Sequence, residues 1–231
     1  MITVTQEGSE IKETTSVILP FDVCEEHTVE DIGEIEIRRG YAFAKRALDI
    51  GASLMALLIL VVPMLIIAIL IATTSRGDVI YCQERLGLHG KRIKIMKFRT
   101  MCADAEKEGA QWSAGDEDVR ITKVGRILRK FHLDELPQLM NILFGDMSLV
   151  GPRPEREVFY KEFEKYIHGF SQRMKVKPGL TGLAQVNGGY HLKPEEKIVY
   201  DIQYIKTRSF WTDVKIMFMT VKVVFTGKGS K

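Results

Sequence analysis

Residues 50–72 constrain this chain most: 23 consecutive positions from Ile50 to Ala72 carry no charge and are almost all Ile, Leu, Val, Met or Ala. As a helix rising ~1.5 Å per residue, the segment extends roughly 34 Å, enough for a hydrocarbon core of ~30 Å. It has no polar face, which argues against a core helix of a soluble domain. It also starts far into the sequence and leads into Thr73-Thr74-Ser75-Arg76 without a small-residue cleavage site, which argues against a signal peptide. A retained membrane element is expected.

Its flanks bear on whether it crosses. Arg38, Arg39, Lys45 and Arg46 precede it, and Arg76, Arg85, Lys91 and Arg92 follow. The balance gives a spanning helix no preferred direction but suits a segment whose two ends return to one face. Pro63 points the same way, because it removes a backbone donor and clashes with the preceding turn. A break there leaves arms of 13 and 9 residues, roughly 20 and 14 Å, each too short to cross alone. Prolines also kink true spanning helices, so the residues favour a re-entrant segment without deciding it.

Charge divides the rest. Residues 1–44 hold ten acidic and three basic groups, a net of −7, so the remainder of this +3 chain carries +10. Residues 1–40 show no sustained helical period and admit either a small strand in an ordered arm or a solvated tail. The runs 79–82 and 92–98, joined by Gly87-Leu88-His89-Gly90, read as a strand pair. Residues 103–118 read as a polar loop with some helix. Three amphipathic helices are expected further on: one carrying Phe159, Phe163, Tyr166 and Ile167, one carrying Ile198, Ile202 and Ile205, and one from Phe210 to Phe225. The last suits packing on the domain or lying in a membrane interface. The fold class expected is α+β, mostly helical with a short β-hairpin. Cys24, Cys82 and Cys102 form neither an even disulfide set nor a CxxC zinc pair, and reduced thiols are expected.

The stretch from Arg126 to Pro154 carries the most chemistry. Asp134 is placed to open a helix, with Pro137 in the first turn, Leu136, Leu139, Met140 and Leu143 as the buried face, and Gly145 as the stop. Asp134 as an N-cap, with Glu135 as a favourable first-turn charge and His132 as an entry residue, is the purely structural alternative. Around the carboxylates gather Arg126, Arg129 and Lys130, with Lys97 and Arg99 at the end of a strand and Arg153 held extended between Pro152 and Pro154. Guanidinium forks match phosphate oxygens, and carboxylates beside them suit Mg²⁺-assisted phosphoryl chemistry. A Walker loop, HExxH and GxSxG are all missing from the sequence, and the basic region contains no recognisable nucleic-acid reading motif, so no nucleic-acid partner is expected.

Seven blocks in series carry a resemblance: Lys45-Arg46-Ala-Leu-Asp49, the Pro-interrupted apolar segment, Gln83-Glu84-Arg85-Leu-Gly87, Lys97-Phe-Arg99-Thr100-Met101, Leu133-Asp134-Glu135-Leu-Pro137-Gln138, Gly145-Asp146-Met-Ser148-Leu-Val-Gly151-Pro152-Arg153-Pro154, and the run from Lys177 through Gln185 and Asn187 to Gly188. Together they resemble the bacterial sugar transferases, the monotopic phosphoglycosyl transferases, over about residues 42–226. The resemblance implies transfer of a sugar 1-phosphate from a nucleotide diphosphosugar, usually a UDP-sugar, to undecaprenyl phosphate, beginning a surface glycan.

By the same resemblance, Asp134 is the nucleophile that forms a covalent phosphosugar enzyme, and Glu135 assists in metal placement or proton handling. Mg²⁺ lies near the pair. Lys97, Arg99, Arg129, Arg153, Gln185 and Asn187 are expected to contact substrate. The apolar segment, residues 41–76, becomes a re-entrant helix broken at Pro63, between an acidic arm, 1–40, and a catalytic domain, 77–231, on the cytoplasmic face of the bacterial inner membrane. A homodimer is left open. The chain departs from the common family pattern at Val62, Leu183 and Gly189, where many members have Ser, Trp and Arg.

Overall fold

The computed structural model describes residues 26–36, 38–102, 105 and 118–226. Most of the acidic arm, Cys24 and nearly all of the polar stretch 103–118 lie outside the described residues. The part of the arm that is described docks on the body: strand β1 (His27–Thr28) pairs in parallel with β5 (Ile167–His168). Val29, Ile32 and Ile35 pack against the main core. Glu30 and Asp31 meet Lys206 and Lys175, so this acidic segment faces basic partners on the domain.

Helix α1 (Arg39–Thr74) contains the whole apolar segment. Its buried positions, Asp49, Ser53, Ile67 and Ile71, with Ala52, Ala56, Met64 and Ala68 partly buried, recur at helical spacing and form one stripe. Leu54, Met55, Leu58, Ile59, Val62, Leu65, Ile66 and Ile69 remain exposed. By length and composition it is the one described helix able to cross a membrane. The expected break into two arms does not appear as an interruption, because Pro63 lies inside a single helical element. Proline removes only its own N–H, and the apolar helix formers on either side retain their bonds.

Both ends of α1 are fastened to the same globular body. Near its start, Arg46 donates to the carbonyls of Ile142 (2.6 Å) and Leu143 (2.8 Å), and Asp49 Oδ1 accepts from Ser148 Oγ (3.0 Å) and Leu149 N (2.9 Å). Lys45 pairs with the buried Asp213 at 2.9 Å. Towards its end, Ile67 and Ile71 pack with Phe98 and Leu128.

The strand pair is β2 (Ile80–Leu86) and β3 (Arg92–Phe98), antiparallel as expected, with β2 extending further than 79–82. Helix α2 (Lys123–Lys130) is capped by Thr122, whose side chain accepts from Gly125 N. A 3₁₀ turn, Leu133–Glu135, precedes α3 (Gln138–Phe144), which Gly145 terminates in the left-handed region at φ 91°. Asp134 is therefore not an N-cap: that position belongs to His132 at φ 55°, and Pro137 occupies the N-cap of α3. The i→i−3 bonds from Glu135, Leu136, Leu139 and Met140 explain the later start.

Strand β4 (Ser148–Val150) pairs in parallel with β6 (Gly179–Thr181). Helices α4 (Glu157–Glu164) and α6 (Pro194–Thr207) bury Phe159, Phe163, Ile198, Ile202 and Ile205 as expected, whereas Tyr166 and Ile167 lie beyond the end of α4. Short α5 (Leu183–Asn187) leads towards α6, and α7 (Phe210–Thr226) follows. Of the apolar face expected on α7, Met217 packs on the core while Phe210, Phe218 and Val221 are exposed, and the buried apolar side chain is Ile216, outside that face. The fold is mostly helical with three two-stranded sheets among the described residues. Cys82 and Cys102 are free thiols.

Candidate active site

The 3₁₀ turn places Asp134 and Glu135 side by side, 7% and 6% exposed. Their surroundings differ sharply. Glu135 Oε1 accepts from Lys97 Nζ at 2.9 Å and from Arg153 Nη2, and its Oε2 accepts from Arg153 Nη1 at 3.1 Å. Lys97 arrives from the end of β3, and Arg153 from the extended Pro152–Pro154 segment after β4. Burial opposes ionisation of Glu135, but Arg153 and Lys97 outweigh it and hold the carboxyl well below its usual range. The Asp134 carboxyl receives no hydrogen bond or ion pair from the described residues. Burial, and then the neighbouring Glu135 charge, push its titration up against the pull of Lys97, Arg129 and Arg153.

Both carboxyls line a cavity of about 730 Å³. Among its described lining, nine Arg and Lys residues face three carboxylates, a balance that selects for an anion. Its apolar wall includes Leu60 of α1, Phe98, Leu136, Met217 and Val224. A polar centre thus opens against the apolar helix α1.

Four of the expected substrate contacts, Lys97, Arg129, Arg153 and Gln185, line this cavity. Arg129 Nε donates to Thr100 Oγ at 2.9 Å. The amide oxygen and nitrogen of Gln185 are buried without partners among the described residues, as befits groups awaiting a polar ligand. Arg99 also borders the cavity; its two Nη groups donate to the end of α1, at the Ser75 carbonyl (2.8 Å), Ser75 Oγ (2.9 Å) and the Asp78 carbonyl, while its Nε is buried without an acceptor among the described residues. These contacts fasten the end of α1 to the end of β3. Asn187 is not brought to the site; it donates to the Leu183 carbonyl at 2.8 Å and lies outside the lining.

Arg85, Glu155, Arg173 and Lys197 line the cavity too, though none was among the expected substrate contacts. The available signal was the alternation of Tyr81, Gln83 and Arg85 on β2, which puts all three on one face. The departures fall in different places: Val62 is exposed on α1, Leu183 packs on the core, and Gly189 borders the cavity at φ 56°.

No group of three or more His, Cys, Asp or Glu suited to a metal occurs among the described residues. Mg²⁺ commonly uses one or two carboxylates and completes its shell with phosphate and water oxygens. Asp134, without a partner among the described residues, and Glu135 Oε2, which accepts one donor, fit that sparse set.

The model of the family described as bacterial sugar transferase matches residues 40–227. The chain belongs to that family. This bacterial sugar transferase is 44% identical over 194 residues to the UDP-N-acetylgalactosamine-undecaprenyl-phosphate N-acetylgalactosaminephosphotransferase of Aeromonas hydrophila, covering 83% of this chain and 46% of that protein. It is 44% identical over 191 residues to the UDP-glucose:undecaprenyl-phosphate glucose-1-phosphate transferase of Klebsiella pneumoniae, covering 80% and 41%. An uncharacterized sugar transferase of Bacillus subtilis is 38% identical over 185 residues, covering 80% of this chain and 89% of that one. The chain spans less than half the length of the first two relatives.

Proposed function

We propose that this bacterial sugar transferase moves a sugar 1-phosphate from a UDP-sugar to undecaprenyl phosphate, through a covalent phosphosugar on Asp134. The observation that carries the reading is a buried carboxylate without a hydrogen-bond partner among the described residues, set beside one held by Lys97 and Arg153, in a cation-rich cavity walled in part by α1.

A carboxylate oxygen of Asp134 attacks the β-phosphorus of the donor. A phosphorus–oxygen bond forms to the enzyme, the bond to the bridging oxygen breaks, and nucleoside monophosphate leaves with the electron pair. A phosphate oxygen of the lipid then attacks the same phosphorus, yielding the lipid diphosphosugar and freeing Asp134. Lys97 and Arg153 hold Glu135 in place and set positive charge beside the reacting phosphate. Mg²⁺ held by Asp134 and Glu135 supplies charge neutralisation at phosphate oxygens when bound.

The same proposal makes α1 re-entrant, with the catalytic domain at the cytoplasmic face of the inner membrane. Attachment of both ends of α1 to one globular body supports it, since a spanning helix delivers its ends to opposite sides of the bilayer. The names of the relatives support the substrates. Incubating the full chain with undecaprenyl phosphate, Mg²⁺ and a panel of UDP-sugars should release UMP with at least one of them. It should also leave a mass increment of one sugar phosphate on the protein when the lipid is withheld. Release of no UMP across the panel, or substantial turnover by Asp134→Asn, rejects the reading.

A further inference from the structure

The block Lys45-Arg46-Ala-Leu-Asp49 at the start of α1 lies outside the cavity lining, and the reaction at Asp134 gives it no part. Two of its side chains, one helical turn apart and so on one face, reach the same strand, β4. Lys45 Nζ donates to the Val150 carbonyl at 3.0 Å, and Asp49 Oδ1 accepts from Leu149 N at 2.9 Å and from Ser148 Oγ at 3.0 Å. The cation takes an acceptor of the strand and the carboxylate takes its donors. Lys45 is steadied in turn by Asp213 at 2.9 Å, and the Tyr204 hydroxyl lies 2.8 Å from Asp213 and 3.1 Å from the Val150 carbonyl.

A carboxylate is a costly way to seat a helix. Asp49 is 4% exposed, whereas the rest of the docking stripe uses Ala52, Ala56, Ile67 and Ile71, which pack without desolvating a charge. Apolar contact is non-directional, but hydrogen bonds to one N–H and one hydroxyl fix where α1 stands along β4. What the pair adds is register.

The chain after β4 has no slack in which to lose that register. Gly151 N donates to the Thr181 carbonyl, the Pro152 carbonyl accepts from Gly179 N, and the Arg153 carbonyl accepts from Arg173 Nη2 at 3.0 Å. Pro152 and Pro154 fix φ on both sides of Arg153. A Cβ on Gly151 would lie 2.4 Å from the Lys177 carbonyl oxygen, so the two backbones already touch. A displacement of β4 therefore passes to Arg153, whose guanidinium joins Lys97 in holding Glu135 beside Asp134.

We propose that Lys45 and Asp49 are positioning residues for the reaction at Asp134: by clamping β4 they set the placement of Arg153, and through it that of the Glu135 carboxyl. What Arg153 contributes to turnover rests on the proposed function; that the clamp places Arg153 does not.

Two measurements on the full chain in detergent micelles test the clamp. The first is the rate of phosphosugar formation with the lipid withheld, in a double-mutant cycle with Arg153→Lys, which keeps a cation but loses the paired contact to Glu135. Asp49→Asn and Lys45→Gln should each slow this rate about tenfold, and by less than about twofold further in the Arg153→Lys background. A clamp that only stabilises the fold gives losses that multiply. The second is peptide-resolved labelling of arginines by phenylglyoxal, which reads placement without turnover. Asp49→Asn and Lys45→Gln should raise labelling of Arg153 several-fold while the exposed Arg92 is unchanged and the buried Arg173 stays protected.

Losses that multiply, or Arg153 labelling that does not change, overturn the clamp. So does Arg173 labelling that rises with that of Arg153, which is general loosening. A chain that shows the labelling pattern yet forms no phosphosugar from any UDP-sugar rejects the transfer reaction and leaves the positioning standing. A chain that forms phosphosugar while the losses multiply does the reverse.

Discussion

Asp134 and Glu135 are joined by one peptide bond, yet Glu135 is gripped by Lys97 and Arg153 while Asp134 receives no donor from the described residues. The gripped residue anchors the turn, and its neighbour carries an unbalanced desolvation cost in a reactive position. Replacing Asp134 with Asn should abolish phosphosugar formation and raise stability at neutral pH by about 1 kcal/mol, since a buried charge without a hydrogen-bond donor among the described residues is removed. Glu135→Gln should lower activity and also destabilise, by roughly 3 kcal/mol, because it leaves Lys97 and Arg153 facing a neutral group. Thermal unfolding beside the UMP-release assay separates the two.

Asp134 titrates above the ordinary carboxylate value because of burial and then Glu135. In the proposed reaction its ionised form is the nucleophile, so the acid limb of the rate profile should lie above the ~4 of a free Asp. The stability consequence has the opposite sense. With the folded value above the unfolded one, the contribution of Asp134 is complete below the unfolded value and is lost as pH rises through the folded value. The stability advantage of Asp134→Asn should therefore widen from pH 4 towards pH 8, as followed by melting temperature; a constant gap contradicts the raised titration.

Gly77 and Arg99 form a tight joint at the end of α1. Gly77 adopts φ 110°, and a Cβ there would lie 2.7 Å from Arg99 Nη1. Gly77→Ala should cost about 1–3 kcal/mol, from left-handed strain and displacement of the guanidinium. Arg99→Gln, which frees the carbonyls of Ser75 and Asp78, should destabilise comparably. Equal melting temperatures for Arg99→Gln and the unaltered chain mean that the joint is dispensable.

A re-entrant α1 predicts that single cysteines placed just before Lys45 and just after Arg76, in a chain whose native cysteines are replaced, react alike with a membrane-impermeant reagent. Both should be protected in sealed right-side-out vesicles and labelled in inverted ones. Labelling from opposite sides identifies a spanning helix.

Several of these relationships were legible in the sequence because they are local. Glycine punctuation located the β2–β3 hairpin, the spacing of Ile198, Ile202 and Ile205 located α6, and Gly145 marked the end of α3. Pro137 was read as a first-turn residue, which put the start of the helix too early; the 3₁₀ turn that carries Asp134 depends on His132 entering the left-handed region, a conformation its residue type does not announce. The stripe by which α1 docks was hidden because every face of the segment is apolar. Arg99 looked like a phosphate ligand because a cation near a strand end does not disclose its acceptors, which here lie more than twenty residues away. Arg173 gave no signal at all, since its partner Asp201 arrives from another helix.

The fastening of α1 at both ends alters what the membrane segment is. A tether can be lengthened, exchanged or cut while the domain it carries continues to fold. Here Arg46 closes the end of α3, Asp49 orders the start of β4, and Ile67 and Ile71 cover Phe98 beneath the strand that supplies Lys97. Helix α1 and the globular body are therefore one folding unit with no slack between them. With α1 embedded as proposed, rigid packing sets the depth of Asp134 relative to the headgroups, so bilayer thickness, rather than linker length, becomes the variable to which the proposed turnover responds.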